Sequence, residues 1–260
     1  MQINTEPSSR TTVYRTDLHG VLQYTPDLVG RWDELIDWSR RAAAEKSFFT
    51  ELLLKQGACR IFDASTGSGF HAVQLRRAGF DVVANDGSPS MVKKARANFA
   101  SRGLNIPTAC LDWCNLYPRD LGRFDAVLCL GNSLCHLFES EQRIQVLERF
   151  RALLKPGGLL LVDQCNFPRL LSGDVAAAGR HYYCANATRV TLGVLNEALC
   201  EFIYTFSDEV SHRLSVCPVL PGQLRHEMRA AGFVGGKTYG DFNYLWDVLG
   251  ADFLVHQGLA

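Results

Sequence analysis

The stretch that most constrains this fold is IFDASTGSG, from Ile61 to Gly69. A short apolar run ends at the acid Asp63, and two glycines, Gly67 and Gly69, follow before a helical pattern begins at Phe70. This order predicts a buried strand, a tight loop and the N-terminus of a helix. Because glycine carries no Cβ, the backbone N–H groups of such a loop can approach a ligand closely. The stretch therefore predicts a loop that binds an adenosine-bearing cofactor.

Strand and helix patterns alternate on both sides of this loop. A helical segment at 31–56 precedes it, and strands with helices between them follow it near 80–85, 106–111, 124–130 and 159–163. The helix before the last of these strands is predicted to span 139–155. Strands that are connected through helices pair in parallel, so the pattern predicts an α/β fold. With two closing strands near the C-terminus, we expect a Rossmann-like, doubly wound, mostly parallel seven-stranded sheet.

The pattern changes after Phe167, where short strands rich in β-branched and aromatic residues follow one another without helices. They lie at 182–184, 189–195, 200–206 and 212–217. This pattern predicts a small antiparallel β insertion that acts as a lid. We therefore expect four segments: an N-terminal segment and helical cap, a cofactor-binding core, the lid, and a C-terminal helix and strands that complete the core. These four segments are 1–57, 58–166, 167–220 and 221–260.

Composition excludes several classes of partner. Lys plus Arg and Asp plus Glu both total 27, so the charge balance gives no reason to expect a nucleic acid or an anionic membrane. No apolar run approaches the roughly 20 residues that a membrane-spanning helix needs. The nine cysteines are scattered without the paired spacing of a zinc site, so we expect no metal. Reduced thiols in a cytoplasmic protein are the simplest interpretation.

The sequence of the glycine loop is compatible with two different cofactors. Residues 67–72 also satisfy the dinucleotide pattern GxGxxA, and Asp86 lies near the distance expected for a ribose-binding acid. An NAD-dependent oxidoreductase is therefore one interpretation. However, Asp63 would repel a pyrophosphate, whereas it would attract the ammonium group of S-adenosylmethionine. In addition, LLKPGGL at 153–159 resembles the loop that follows a helix in class I methyltransferases, and both features favour S-adenosylmethionine.

Acids and aromatic residues after the strands provide further candidate contacts to this cofactor. Asp86 could accept hydrogen bonds from both ribose hydroxyls, or it could be a surface acid beside a turn. Asp112 could hold the adenine amino group while Trp113 stacks on the ring, although a buried tryptophan without a ligand is the alternative. Tyr24 and Trp32 fit equally well as core residues and as parts of a lid over the cofactor.

Several longer stretches are more specific than the glycine loop. They are WDELIDW at 32–38, FDAVLCLGNS at 124–133 with His136, DQCNF at 163–167, YY at 182–183 and GDF at 240–242. Together they resemble the glycine and glycine/sarcosine N-methyltransferases, and the resemblance runs from about Tyr14 to the C-terminus. It implies a class I methyltransferase fold and transfer of a methyl group to the amine nitrogen of a small molecule.

The resemblance also implies roles for individual cofactor contacts. Tyr24, Trp32 and Arg41 would close over the cofactor, with Arg41 on its carboxylate. Further contacts would come from a set of residues that follow the first and fourth core strands, namely Ser65, Leu130, Ser133 and His136.

At the acceptor, the resemblance places Asn132 beside the substrate amine. Asn132 and Tyr183 could orient this amine through hydrogen bonds, and Tyr204 could do the same or pack in the core. His136 is the histidine that could act as a base, although a structural or cofactor-contact role fits it better. Bulk solvent can also take the proton, so a dedicated base is optional.

One residue departs from the family pattern. The family has an arginine at the position of Cys165, where it holds the substrate carboxylate, and a thiol cannot form that ion pair. We therefore expect a changed acceptor, an amine without a carboxylate at that point. An O-methyltransferase and a non-catalytic protein that binds S-adenosylmethionine remain alternatives. The sequence leaves the assembly open, and a homo-oligomer is one alternative, because 13–16 resembles a segment that reaches a neighbouring subunit in some family members.

Overall fold

The computed structural model describes residues 18–173, 183–244 and 250–260. Short helices form the start of this part of the chain, before the first strand: α1 (Leu18–Gln23), α2 (Pro26–Gly30), α3 (Trp32–Leu35), α4 (Trp38–Glu45) and α5 (Phe48–Lys55). The core then alternates strands and helices: β1 (Arg60–Asp63), α6 (Phe70–Arg77), β2 (Asp81–Asn85), α7 (Pro89–Ala100), β3 (Thr108–Ala109), α8 (Pro118–Leu121), β4 (Phe124–Cys129), α9 (Ser140–Leu153), β5 (Leu154–Cys165) and α10 (Phe167–Leu171).

The remaining elements follow in two groups. Three strands come first, and a helix and two strands then return to the core: β6 (Arg189–Leu195), β7 (Cys200–Thr205), β8 (Ser211–Val216), α11 (Pro221–Ala230), β9 (Val234–Gly240) and β10 (Phe253–Leu259). None of the helices in the described ranges has the length and apolar character needed to span a membrane.

The main sheet has seven strands in the order β3-β2-β1-β4-β5-β10-β9. The first five strands pair in parallel, whereas β10 runs antiparallel to both β5 and β9. The predicted doubly wound, mostly parallel seven-stranded sheet is therefore confirmed. The chain leaves β1 towards β2 on one side and later adds β4 on the other, so the strand order reverses at β1. A ligand crevice forms outside the carboxyl ends of the strands at such a reversal.

Alternating side chains along the strands bury both faces of the sheet. Ile61 belongs to one apolar cluster, with Val73 of α6 and Phe99 of α7, whereas its neighbour Phe62 belongs to another, with Phe150 of α9. Successive strand residues point to opposite faces, so a strand buried on both sides is apolar throughout. This burial fixes the strand register and holds the loops at the carboxyl ends in place.

A second sheet contains β6, β7 and β8, paired antiparallel in that order. The prediction of a small antiparallel insertion is therefore confirmed. Several contacts connect the second sheet to the N-terminal helices, among them those of Gln23 and Arg31. The side chain of Gln23 exchanges hydrogen bonds with the backbone of Ser215, and the Arg31 guanidinium binds Asp208 at 2.7 and 2.9 Å.

Some predicted boundaries are wrong. The predicted helical segment at 31–56 is three helices, because Ile36 is extended and bridges to Cys184, and Lys46 has a φ of +49°. The helix predicted to reach residue 155 ends at Leu153, because Phe124 pairs with Leu154 and starts β5 early. The 13–16 segment lies outside the described residues, and the strand expected at 182–184 begins outside them.

Candidate active site

A cavity with about 1200 Å³ of empty space, including its open mouth, lies at the carboxyl ends of β1, β2 and β4. Its walls come from the loops after these strands, from α1 and α3, and from the second sheet. The residues predicted from sequence that line it are Tyr24, Trp32, Arg41, Ser65, Gly67, Asp86, Trp113, Leu130, Asn132, Ser133, His136, Tyr183 and Tyr204. Four other predicted residues, Asp63, Gly69, Asp112 and Cys165, are not part of these walls.

The two glycines of the loop have different roles. Gly67 lines the cavity with a φ of +54°, and a Cβ on it would meet no protein atom within 4 Å. Gly69 has a φ of +94°, and its Cβ would lie 2.4 Å from the Phe99 ring. Glycine is therefore required at 69 for the packing of α7, while at 67 it leaves open space for a ligand.

Asp86 shapes the loop and faces the cavity. One carboxylate oxygen accepts the N–H of Gly67 at 2.8 Å, and the other accepts the N–H of Ser88 at 2.9 Å. Burial raises the pKa of Asp86 to about 6, although these two hydrogen bonds favour the ionised form. Two carboxylate oxygens offer about four acceptor sites, so each can still accept a hydroxyl. Asp86 therefore fits a ligand with two adjacent hydroxyls, such as a ribose.

Asp63 is a buried carboxylate with no hydrogen bond to either oxygen among the described residues. It is 1% exposed, and burial raises its pKa, while the charge of His71 lowers it. The Thr66 hydroxyl and the Ser65 amide also lower the pKa, but neither reaches hydrogen-bonding geometry. A buried charge without a partner is costly, so a cationic ligand group would be stabilised here and an anionic one repelled. This observation fits the ammonium group of S-adenosylmethionine and opposes a pyrophosphate.

An ionic cluster beside Asp63 was missed by the sequence analysis. The Nε of Arg41 lies 2.7 Å from the Oε1 of Glu45, and the Nε2 of His71 lies 2.9 Å from its Oε2. All three side chains are buried. The i, i+4 spacing of Arg41 and Glu45 on α4 was a usable signal, whereas His71 is indistinguishable in sequence from any polar residue in a first helical turn.

Trp113 provides an aromatic part of the cavity wall. The indole nitrogen of Trp113 donates to the carbonyl of Ala64 at 2.8 Å, and its ring packs on Phe150 with centroids 5.7 Å apart. The ring is thereby fixed in the wall, where an adenine could stack. Asp112 accepts the N–H of Cys114 at 2.8 Å and so caps the short turn that carries the indole.

The loop after β4 is held in an unusual conformation. Asn132 has a φ of +61°, and its N–H donates to Asp163 at 2.8 Å. Its side-chain carbonyl accepts the N–H of Cys165 at 3.1 Å, which connects the loop to the end of β5. The hydroxyls of Ser65 and Ser133 both donate to the carbonyl of Leu130, at 2.9 and 2.8 Å. The loops after β1 and β4 are thus joined at the crevice.

One part of the wall contains Tyr24, which follows α1, together with Trp32 of α3 and His136 of the loop after β4. The Tyr24 hydroxyl lies 3.0 Å from the Nε2 of His136, and its ring centroid lies 5.4 Å from that of Trp32. Burial lowers the pKa of His136 to about 4. The imidazole is therefore neutral at pH 7, and it is a weak base.

The second sheet closes the cavity with an apolar and hydroxyl-bearing wall. It contributes Phe202, Tyr204, Leu214 and Val216, and Tyr183 lies beside them. Cys165 is 2% exposed, and its thiol is packed in the core rather than in the cavity wall.

Comparisons with known proteins agree with this geometry. The methyltransferase domain family matches residues 61–158. The glycine/sarcosine N-methyltransferase of Halorhodospira halochloris is 40% identical over 95% of this chain and 91% of its own length. That of Parasynechococcus marenigrum is 41% identical over 95% of this chain and 88% of its own length. The chain belongs to this N-methyltransferase family. It is an S-adenosylmethionine-dependent enzyme that methylates the nitrogen of a small molecule, and the NAD interpretation is wrong.

Solved structures support the fold of this N-methyltransferase. A methyltransferase from Clostridium acetobutylicum superposes with a TM-score of 0.67 at 15% identity, covering 93% of this chain and 98% of its own. An amino pentose methyltransferase from Micromonospora echinaspora, with S-adenosylmethionine bound, gives a TM-score of 0.57 at 17% identity, covering 90% and 97%. At these identities the likeness concerns the fold alone.

Proposed function

We propose that this enzyme methylates the amine nitrogen of a small molecule that has no carboxylate near Cys165. The single observation that carries the proposal is the thiol at this position, where the family has an arginine. Because the Cys165 thiol is buried away from the cavity, it cannot replace the lost cation. A charge-assisted contact contributes about 1.5–3 kcal/mol, so its loss weakens carboxylate binding roughly tenfold or more.

Other cations in the cavity wall do not replace the arginine in this proposal. Arg41 is assigned to the cofactor carboxylate, His71 is paired with Glu45, and His136 is neutral at pH 7. The wall from the second sheet instead presents Phe202 and Tyr204, together with aliphatic side chains. This wall suits an acceptor whose amine is attached to an apolar or aromatic body, because such a body loses water favourably on binding.

Four residues are proposed to hold the cofactor. The ribose hydroxyls would lie at Asp86, the carboxylate at Arg41 and the adenine at Trp113. The ammonium group would approach Asp63, which is buried directly before the cavity-lining residues Ala64 and Ser65. S-adenosylmethionine, when bound, supplies a methyl group that is already activated by its sulfonium.

The protein's remaining task is to align a neutral amine and exclude water. In this proposal, the Asn132 amide and the Tyr183 hydroxyl orient the amine, with Tyr204 beside them. His136 would hold Tyr24 through their 3.0 Å contact. Its low pKa makes His136 a poor proton acceptor, so the amine would lose its proton to solvent before attack.

Matched pairs of acceptors that differ only by the carboxylate test the proposal. We expect ethylamine to be methylated with a higher kcat/KM than alanine, and phenethylamine with a higher kcat/KM than phenylalanine, by at least tenfold, as measured by mass spectrometry of the products. Glycine and sarcosine serve as the reference acceptors. Efficient turnover of glycine, or a consistent preference for the amino acid in each pair, would refute the proposal.

A further inference from the structure

Arg41 and Glu45 lie one turn apart on α4 and contact each other directly. The Nε of Arg41 and the Oε1 of Glu45 are 2.7 Å apart, and the two side chains are 8% and 4% exposed. A contact at Nε fixes the plane of the guanidinium, because this nitrogen is part of the rigid fork. The Arg41 guanidinium also lies over the ring of Phe70, 4.9 Å from its centroid, and both residues line the cavity.

Glu45 also reaches the helix that follows the glycine loop. Its Oε2 lies 2.9 Å from the Nε2 of His71, the second residue of α6. Burial opposes ionisation of Glu45, but His71 and Arg41 outweigh it and lower the pKa to about 2. An ionised carboxylate only accepts hydrogen bonds, so the Nε2 of His71 carries the proton. One carboxylate thus connects the cap helix α4 to the helix of the cofactor loop.

Fold stability alone is a weak explanation for this cluster. Taking charges out of water costs several kcal/mol per ion, and an apolar replacement of a buried ion pair is often as stable. The surroundings provide a better explanation. Arg41 and His71 both influence Asp63 and Asp163 electrostatically, so the cation lies close to two further buried acids. Without Glu45, the attraction of these acids would draw the guanidinium towards them.

We propose that Glu45 and His71 are positioning residues that keep the Arg41 guanidinium apart from Asp63, so that each can meet the opposite end of a zwitterionic amino-acid tail. The inference rests on the assignment of Arg41 and Asp63 to that tail in the proposed function. It gives Glu45 a role in recognition of the cofactor carboxylate, although Glu45 would not touch it.

Two ligands that differ only in the carboxylate provide the test. Calorimetry on the full chain compares S-adenosylmethionine with decarboxylated S-adenosylmethionine. We expect the wild type to prefer the carboxylate-bearing ligand, Arg41→Ala to abolish this preference, and Glu45→Gln to reduce it about tenfold. His71→Phe should reduce the preference in the same way, whereas His71→Gln, which keeps an N–H donor, should restore part of it.

A second buried ion pair supplies the control. Arg143 and Glu227 lie 2.8 Å apart and are 1% and 0% exposed, between α9 and α11. Glu227→Gln should lower the free energy of unfolding and leave the ligand preference unchanged. Equal losses of affinity for both ligands in Glu45→Gln would mean a merely structural role and overturn the inference. If Glu45→Gln does not fold, the two His71 variants decide the same question.

Failure of the underlying assignment looks different. If the wild type shows no preference for the carboxylate-bearing ligand and Arg41→Ala changes nothing, then Arg41 does not bind the cofactor carboxylate. The inference would fail together with that assignment. Neither binding result bears on the acceptor, because no acceptor is present in the experiment.

Discussion

Asp63 ends β1 and Asp86 directly follows the neighbouring strand β2, yet their carboxylates differ in their hydrogen-bond partners. Both oxygens of Asp86 accept backbone N–H groups of the loop, whereas Asp63 has no hydrogen bond among the described residues. Burial raises the pKa of both. We therefore expect Asp86 to shape the loop even without a ligand, and Asp63 to gain its partner only when a cation binds.

Cofactor affinity should fall in acid because Asp86 must be ionised to accept two ribose hydroxyls. With a pKa of about 6, the carboxyl is ionised at pH 7.5 and mostly protonated at pH 5. Binding then requires loss of a proton, so the dissociation constant of S-adenosylmethionine should rise roughly tenfold between these pH values. Calorimetry at pH 7.5, 6 and 5 measures this.

The variant Asp86→Asn should bind the cofactor at least tenfold more weakly at pH 7.5, because an amide cannot accept all of these N–H and O–H donors. It should also show a smaller pH dependence, with the remainder due to Asp63. Asp81→Asn, at the exposed start of the same strand, is the matched control. An unaltered pH dependence in Asp86→Asn would contradict the assignment.

Single residues also mark the limit of what the sequence predicts. Asp86 and Trp113 could be placed at the crevice because they follow strands at fixed positions in a parallel sheet. Glu45 and His71 could not, since their contact joins two helices whose relative placement is a tertiary property. Gly69 was expected to admit a ligand, but its position against the Phe99 ring depends on how α7 packs.

At the scale of elements, regular patterns within one segment were predictable, whereas contacts between segments that are remote in sequence were not. The parallel strands and the antiparallel insertion were correctly predicted because their alternation and turn residues are local signals. The break in the helical segment at 31–56 was missed, because the extended backbone at Ile36 is stabilised by a bridge to distant Cys184. Pairing partners that are remote in sequence leave no periodicity to detect.

The attachment of α1 to β8 should control how fast the cofactor leaves. The Gln23 side chain exchanges two hydrogen bonds with the backbone of Ser215, and Gly20, Val21 and Tyr24 of the same segment line the cavity. Gln23→Ala removes both bonds. Since each contributes about 1 kcal/mol, we expect the dissociation rate constant of S-adenosylmethionine to rise about fivefold or more.

Stopped-flow displacement of the cofactor measures this rate. Gln56→Ala is a matched control, because Gln56 is exposed and donates a side-chain hydrogen bond to the Gly157 carbonyl, away from the cavity. Equal dissociation rates in wild type and Gln23→Ala would mean that α1 does not limit cofactor release.

At the scale of the whole molecule, buried ionisable groups act on stability with opposite signs. Asp63, Asp86 and Asp163 have raised pKa values, so the folded state takes up their protons first and gains stability as the pH falls. Burial lowers the pKa of His256 to about 3 and that of His136 to about 4. The unfolded state takes up these two protons near pH 6.5, so stability is lost below that pH. The measured pH profile is the sum of both effects.

The contribution of His256 can be separated from this sum. Its side chain is fully buried between the sheet and α11, its Nδ1 lies 3.1 Å from the Thr238 hydroxyl, and its Nε2 has no partner among the described residues. His256→Phe loses the Thr238 contact at every pH, but it also removes the imidazole whose protonation favours the unfolded state below pH 6.5. Between pH 7 and 5, we expect the variant to lose about 2 kcal/mol less free energy of unfolding than the wild type.

Urea denaturation at pH 7, 6 and 5 gives both slopes, and His226→Gln, which alters an exposed histidine on α11, is the control. The comparison depends on the difference between the slopes rather than on absolute stability, so the acids, which are common to both proteins, cancel. Parallel profiles for His256→Phe and wild type would show that His256 can accept a proton in the folded state. In that case water reaches the interior between β10 and α11, and the sheet is less completely covered on this face than its side-chain packing implies.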